Sequence, residues 1–268
     1  MPNSMVDRIV PAATPESLAL TERHLGLRDE AAIVCEPFTQ WVIEDRFSGP
    51  RPAWEEAGAL LTSDVKPYQE MKLRLLNGTH SAIAYAGQLR GLATVAQALA
   101  DPLVGGFVRR LMLQDLRECV RVPAGFDVGT YCAQLLQRFE NTALAHRTEQ
   151  IAMDGTRKVP VRWLPALRES LAQGVERPLL ERALALWLHY LQAGRSDGGV
   201  ALVINDPGAA VLKARLEAGG EALSGVQAAL SHRVVFGQEP WPQAFAQRLG
   251  GHLTILRSGG AGALLALT

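Results

Sequence analysis

The spacing of apolar residues along the chain changes near residue 65. Beyond that point apolar residues recur three or four positions apart, which keeps one face of an α-helix turned toward a core. The stretch 177–192 is the clearest case, since Leu180, Leu184 and Leu188 follow an i, i+4, i+8 spacing. The same spacing, with Pro and Gly marking helix ends, predicts further helices over residues 68–92, 93–99, 104–120, 127–139, 141–153, 165–173, 206–218, 224–231 and 242–249. The tail 258–268 is rich in Gly and Ala and fits either a helix or a frayed end.

The front of the chain has a mixed pattern. Residues 1–15 are predicted as loop, and Thr14 can cap a helix whose first residue is Pro15. Three short strands are predicted, over residues 32–35, 39–43 and 60–62, which is too few to close a sheet. We therefore predict a mainly α fold, with a small α/β unit over residues 1–65 and a helical domain over residues 66–268.

Composition narrows the range of partners. The 268 residues include 27 basic and 27 acidic side chains, so the basic excess typical of nucleic-acid or membrane-surface binding is absent. No apolar run approaches the roughly 18–20 residues of a membrane span, and the N-terminus lacks the charged and apolar segments of a secretory signal. We expect a cytoplasmic protein without a nucleic-acid or membrane partner.

Cysteine and histidine residues show no metal-binding spacing. The three cysteines, Cys35, Cys119 and Cys132, form no CxxC pair, which argues against a zinc knuckle or a disulfide framework. Reduced and mostly buried thiols are typical of a cytoplasmic protein. The sequence predicts no metal site.

No segment of the sequence predicts a nucleotide site. Dinucleotide binding needs a strand, a glycine-rich turn and a helix, because backbone N–H groups must approach the pyrophosphate closely. The paired glycines, at 105–106, 198–199, 219–220, 250–251 and 259–260, do not form GxGxxG after a predicted strand.

The segment with the most chemical information is residues 72–80, Lys-Leu-Arg-Leu-Leu-Asn-Gly-Thr-His. If it is α-helical, His80 lies at about 80° and Asn77 at about 140° around the helix from Lys72, so the three side chains can reach a common point. Asn77 and Gly78 are poor helix formers inside an otherwise apolar helix, and such breaks in local preference often mark functional sites.

These three residue types suit hydride transfer at a secondary alcohol. A lysine in a desolvated or cationic setting can take the hydroxyl proton, and an asparagine amide can donate a hydrogen bond to the developing alkoxide. A histidine can hold a second hydroxyl or orient the base. The hydride itself requires a nicotinamide. The alternative is that Lys72, Asn77 and His80 simply form a solvated helix face.

A family resemblance favours the catalytic interpretation. Residues 72–80 resemble the K-x-R-x-L-N-x-[ST]-H signature of the polyol-specific long-chain dehydrogenases, the mannitol dehydrogenase and fructuronate reductase family. Further segments similar to this family occur in order along almost the whole chain, at residues 2–9, 36–45, 51–55, 138–141 and 150–160. The motifs are specific for the family and much less so for the substrate.

The resemblance implies a role for each matching residue. Lys72 would be the general base in oxidation and the general acid in reduction, Asn77 would hold the reacting oxygen, and His80 would bind a neighbouring hydroxyl. Asp7 and Lys158 match positions expected to line the substrate cleft. The helical domain would be similar to the C-terminal domain of 6-phosphogluconate dehydrogenases, the substrate would be a polyol or a sugar acid, and the cofactor would be NAD or NADP.

Two positions depart from the family pattern. Gln69 stands where mannitol dehydrogenases typically have a proton-relaying glutamate, so proton exchange would need Glu70 or water. Gln150 stands where some members have a substrate-binding arginine, and Arg147 is expected to take that role, with Arg157 as an alternative. The run 146–148, His-Arg-Thr, is more similar to the sugar-acid reductases.

The family's nucleotide-binding domain would precede Pro2, so residues 1–65 would be the tail of that domain. We expect the cofactor to be held by that domain, either upstream in the same protein or in a separate chain, and not by this chain alone. A late start, a split or truncated gene, and a deliberately shortened protein are all compatible with the sequence. The competing hypothesis is a non-catalytic helical module that binds a sugar-like ligand or a protein partner.

Overall fold

A three-stranded sheet forms the front of the molecule. The computed structural model describes residues 1–267. Strands β1 (Ser4–Asp7), β2 (Gln40–Glu44) and β3 (Leu60–Thr62) lie in the order β1-β2-β3, antiparallel between β1 and β2 and parallel between β2 and β3. Met5 and Val42 are opposite each other in the register and both are buried. Val6 and Trp41 are also opposite each other, on the other face of the sheet, and both are exposed.

The structure corrects two predictions in this region. Residues 1–15 contain β1, whose alternation is hidden in the sequence because its second buried position is a charged residue, Asp7. Residues 32–35 form no strand, and the exposed side chain of Ile33 has no sheet to pack on in this part of the chain. The helix predicted to begin at Pro15 is confirmed as α1 (Pro15–Leu25), with Thr14 and Ser17 forming a capping box.

The rest of the described chain is helical. In chain order the helices are α2 (Lys66–Met71), π1 (Lys72–Gly78), α3 (Thr79–Arg90), α4 (Val95–Ala100), α5 (Pro102–Arg110), π2 (Leu111–Leu116), α6 (Val128–Phe139), α7 (Thr148–Ala152), α8 (Gly155–Arg162), α9 (Leu164–Ala172), α10 (Pro178–Ala193), α11 (Ala209–Ala218), α12 (Ala222–Leu230), α13 (Arg233–Phe236) and α14 (Gln243–Leu265). Short 3-10 turns occupy 54–57, 117–119 and 142–144. None of these helices combines the length and hydropathy of a membrane span.

Helix α10 lies at the centre of the helical part and packs against α3, α11 and α14. The predicted apolar stripe is confirmed, since Leu180, Leu184 and Leu188 are all fully buried. Burial of a leucine side chain contributes about 1.5–3 kcal/mol to folding, so this stripe alone fixes α10 firmly in the core. The mainly α fold is therefore as predicted.

Two helix predictions had the wrong extent. The helix predicted over 141–153 is reduced to a 3-10 turn and the short α7. The helix predicted to end at residue 249 continues to Leu265, with a bend at Gly260, whose φ is +71°. After the bend the Asp197 carboxylate accepts hydrogen bonds from the backbone N–H groups of Ala261 and Gly262, each at 3.0 Å, which restarts the helix. Thr268, the last residue of the predicted tail, lies outside the described residues.

Candidate active site

The predicted catalytic motif lies on one continuous helix, α2–π1–α3, whose middle section is π-helical over Lys72–Gly78. The α-helical angles predicted from the sequence are therefore wrong for this section. Hydrogen bonds in a π-helix join residues five apart, and such residues lie nearly one above the other. Asn77 is five residues after Lys72, so the wider turn brings the two positions closer around the helix than an α-helix would.

Lys72 lies where π1 meets the sheet. Its Nζ donates a hydrogen bond to the carbonyl oxygen of Val6 in β1. One turn earlier, the Gln69 side-chain amide donates to the carbonyl of Ser4, at 3.4 Å. The helix surface that carries the lysine is therefore anchored to the first strand, and the amine is half-buried at that junction.

His80 is buried against aromatic rings. Its imidazole is 4.4 Å from the Phe139 ring and 5.3 Å from the His146 ring, centroid to centroid, and the two imidazoles are perpendicular. Burial holds the pKa of His80 well below its ordinary value, and nearby cationic or imidazole groups, His146 first and then Arg162, lower it further. The ring is therefore neutral near pH 7 and can exchange hydrogen bonds with a hydroxyl.

Two cations on α8 lie near this imidazole pair. Lys158 and Arg162 are four residues apart on the helix, and neither forms an ion pair with a carboxylate within residues 1–267. Burial lowers the pKa of both side chains, and Arg162 lowers that of Lys158 further. The Nζ of Lys158 donates to the carbonyl of Ile151 at 3.2 Å, which leaves donors on the ammonium for a ligand.

Asp7 is fully buried in an ion cluster instead of facing an open cleft. Arg138 donates to both its carboxylate oxygens, at 2.6 and 3.0 Å, and the Tyr131 hydroxyl donates to one of them at 3.1 Å. Arg138 also donates to the buried Glu36 carboxylate, at 2.7 and 3.0 Å, and lies 4.0 Å from the centre of the Phe38 ring. A ligand could reach the Asp7 oxygens only if Arg138 or Tyr131 released them.

Arg147 lies apart from these groups, at the rim of a cavity of about 230 Å³ between α1 and the loop before α7. Its side chain is exposed and pairs with Glu149 at 3.2 Å. Gln150 lines the same cavity, whereas Lys72, Asn77 and His80 do not. No hydrogen bond or ion pair joins Lys72, Asn77 and His80 to one another in the part of the chain that the structure describes.

Sequence reasoning missed three residues of this region: Arg138, His146 and Arg162. Arg138 stands in a segment that matched the family, and His146 stands in the run that is similar to the sugar-acid reductases. Nothing in the sequence showed that the first would be buried between two carboxylates or that the second would lie beside His80. Arg162 is the second residue after the last matched segment. Its lack of a carboxylate partner is a tertiary feature that no local pattern encodes.

A metal does not fit the described residues, since no cluster of three or more His, Cys, Asp or Glu side chains in 1–267 is arranged to hold one. A glycine-rich strand–turn–helix unit, of the kind that binds a dinucleotide, does not occur in the described residues either. None of the three described strands leads through a glycine-rich turn into a helix; β3, for example, reaches α2 through Ser63, Asp64 and Val65.

Comparisons with known proteins agree over nearly the whole chain. The family model for the mannitol dehydrogenase C-terminal domain matches residues 64–253, and that for the mannitol dehydrogenase Rossmann domain matches residues 1–56. The uncharacterized oxidoreductase YdfI of Escherichia coli is 43% identical over 238 residues, 89% of this chain and 49% of the relative. D-mannonate oxidoreductase of Escherichia coli is 45% identical over 206 residues, 77% of this chain and 42% of the relative.

A solved structure is also similar. The ternary complex of Pseudomonas fluorescens mannitol 2-dehydrogenase with NAD and D-mannitol superposes with a TM-score of 0.88 at 34% identity, covering 98% of this chain and 53% of that one. This chain thus spans about half the length of the relatives it matches.

Proposed function

Because the chain belongs to the mannitol dehydrogenase family, we propose that it supplies the catalytic part of an NAD(P)-dependent oxidoreductase. The reaction would interconvert a polyol or an aldonate with the corresponding ketose or ketouronate. The observation that carries the proposal is the π-helical turn at Lys72–Gly78, which brings the lysine and asparagine of the family motif close together around the helix. Departures from α-helical geometry of this kind are frequent at functional sites.

Lys72 has the proton-transfer role in this proposal. As an ammonium it gives a proton to the carbonyl oxygen during reduction, and as an amine it takes the hydroxyl proton during oxidation. Asn77 donates an amide N–H to the same oxygen, where negative charge develops. His80, neutral because burial lowers its pKa, holds an adjacent hydroxyl.

The contacts around the three predicted substrate-binding residues support the proposal to different degrees. Lys158 is well placed, because its ammonium has no carboxylate partner in residues 1–267 and lies close enough to depress the pKa of His80. Arg147 is available at the cavity rim, where Glu149 is its one ion-pair partner among the described residues. For Asp7 we propose a role in orienting Arg138, because both oxygens of its carboxylate already accept hydrogen bonds from that arginine.

Neither Gln69 nor Glu70, the two polar residues before Lys72 on α2, is suited to carry protons between Lys72 and solvent. Gln69 cannot titrate, and its amide is bonded to the carbonyl of Ser4. The Glu70 carboxylate accepts hydrogen bonds at 3.0 Å from both the backbone and the side chain of Arg121. We therefore propose water, and not Glu70, as the proton carrier.

Hydride transfer needs a nicotinamide, and no described strand leads through a glycine-rich turn into a helix as in a dinucleotide-binding unit. We propose that NAD or NADP is held by a nucleotide-binding domain, in the same polypeptide or in a separate chain, and that residues 1–65 form the end of that domain. We further propose that residues 66–268 form a domain of the 6-phosphogluconate dehydrogenase C-terminal type. Three free cysteines fit the proposed cytoplasmic location.

The test is a fusion enzyme. The part of Escherichia coli D-mannonate oxidoreductase that precedes its aligned region is joined to this chain, and NADH oxidation is followed with fructuronate, tagaturonate and fructose. Lys72→Ala should lower kcat/KM by about 10²–10⁴-fold, the usual contribution of a positioned acid or base. Lys66→Ala, an exposed lysine on the same helix, is the control. The proposal fails if no substrate is turned over, or if the two variants are equally active.

The second candidate is a non-catalytic module that binds a sugar-like ligand or a partner chain. It is favoured by the lack of a glycine-rich nucleotide turn in residues 1–267. Calorimetry with NADH separates the two ideas: micromolar binding of NADH by the chain alone rules out the module.

A further inference from the structure

π1 meets α3 at a junction between Gly78, its last residue, and Thr79, the first residue of α3. Hydrogen bonds that join residues five apart give way there to bonds that join residues four apart. A backbone carbonyl has two lone pairs, so the carbonyls of the last residues of π1 can accept a side-chain hydrogen bond in addition to one from the helix. Such a bond ties the backbone of the junction to the element that supplies the donor.

Two consecutive residues at the end of α8 supply such donors. The Nη1 of Arg162 donates to the carbonyl of Asn77 at 3.1 Å and to the Oγ of Ser81 at 2.8 Å. The indole Nε1 of Trp163, whose side chain is fully buried, donates to the carbonyl of Gly78 at 3.1 Å. Both carbonyls at the junction thus have a donor from α8 or from the residue after it.

The small size of Gly78 allows this contact. A Cβ at that position would be 3.3 Å from Trp163 Nε1, closer than side chains normally approach, and at an ordinary contact distance of 3.5 Å from its Cδ1. Arg162 is available for the junction because it forms no ion pair with a carboxylate in the described chain, so a formally charged group is retained in a mostly buried place for its hydrogen bonds. Burying an unpaired charge costs free energy, and the hydrogen bonds of the guanidinium offset part of that cost.

We propose that Arg162 and Trp163 are positioning residues that maintain the π-to-α junction and thereby fix the Asn77 amide relative to the Lys72 amine. The proposal rests on the proposed function for its catalytic consequence. Without the two donors, the backbone of Asn77 and Gly78 is held by the helix alone, and the Asn77 amide can shift relative to the Lys72 amine. Neither Arg162 nor Trp163 needs to touch the substrate for this effect.

Hydrogen–deuterium exchange of the 268-residue chain tests the junction directly. Arg162→Met should speed exchange in peptides covering residues 77–85 by about tenfold or more, because lost hydrogen bonds favour local opening. Arg162→Lys, which can still donate to a carbonyl, should restore most of the protection. Arg233→Met, an exposed arginine without a side-chain partner in the described chain, is the control. If Arg162→Met does not fold, Trp163→Phe, which removes only the Gly78 donor, should speed exchange in the same peptides.

The fusion enzyme tests the catalytic consequence. Arg162→Met should lower kcat by about 100-fold with KM changed by less than about threefold, as expected for misplacement of a catalytic group by about an ångström. Arg162→Lys should recover at least about tenfold of that loss, a rescue that general destabilisation would not produce. Exchange or kcat in Arg162→Met equal to that in Arg233→Met overturns the proposal. An inactive parent fusion refutes the proposed function instead, while the exchange comparison still decides whether these residues hold the junction.

Discussion

Replacing Arg138 by methionine should strongly destabilise the protein. The guanidinium makes four hydrogen bonds of 2.6–3.0 Å to two carboxylates, Asp7 at 0% and Glu36 at 2% exposure. Burial alone would lower the pKa of Arg138, but its bonds to Asp7 and Glu36 outweigh this and raise it. Among the contacts of residues 1–267, the variant leaves Asp7 with the Tyr131 hydroxyl alone and Glu36 with the Ile9 N–H alone. Two buried carboxylates would then lack a counter-charge.

Removing one member of a buried ion cluster typically costs about 3–5 kcal/mol, and we expect the free energy of unfolding to fall by that amount. Urea unfolding followed by circular dichroism and by tryptophan fluorescence measures it. Because Asp7 and Glu36 belong to the front of the chain and Arg138 to α6, Trp41 and Trp54 should report the loss first.

Two comparisons make the result decisive. Arg109→Met breaks an exposed pair with Glu140 and should cost at most about 1 kcal/mol. Neutralising the whole cluster, in Asp7→Asn/Glu36→Gln/Arg138→Met, should recover more than half of the lost stability, because no buried charge remains unpaired. A loss below about 1 kcal/mol in Arg138→Met would refute the reasoning.

Two further predictions concern packing and pH. Gly155→Ala would place a Cβ 2.4 Å from Trp187 Nε1, so we expect a loss of about 1–3 kcal/mol in thermal unfolding, whereas Gly106→Ala, in open space on α5, should be neutral or stabilising. Burial lowers the pKa of His80 and of His252, the latter to about 4, so protonation favours the unfolded chain. Their contribution to stability is complete above the ordinary value of 6.5 and is lost as pH falls through it toward 4. Tm should therefore drop across that interval, less so in His252→Asn, and an equal drop in both proteins contradicts the prediction.

The sequence predicts the helical part well because the signal there is local. The Leu180, Leu184 and Leu188 stripe follows the helical period, and its burial requires no knowledge of its neighbours. Strand β1 was missed for the opposite reason, since one of its two buried positions is Asp7, which only the distant Arg138 makes tolerable.

The candidate site also combines features predicted from local sequence with features that depend on tertiary contacts. The Asn77–Gly78 pair marked an irregularity in the helix, but the donors that bond to the carbonyls of these two residues come from residues 162 and 163, more than eighty positions away. Family motifs predicted roles for Lys72, Asn77 and His80, whereas the charges of Arg138, Lys158 and Arg162 around His80 became apparent only in three dimensions. Sequence spacing identifies side chains that could bind a substrate, and tertiary contacts determine which of these side chains already bond to other residues.

The hydrogen bond from Lys72 to the Val6 carbonyl restricts the orientation of the lysine amine. A neutral amine has two hydrogens and a single lone pair, so when one hydrogen is held by the strand, the lone pair has only two possible orientations around the Cε–Nζ bond. If Lys72 is the proton acceptor that we propose, the direction of its lone pair is set by the backbone of β1, a strand within the region matched by the mannitol dehydrogenase Rossmann-domain model. Any shift of that strand would redirect the lone pair before it changed any distance within the helix.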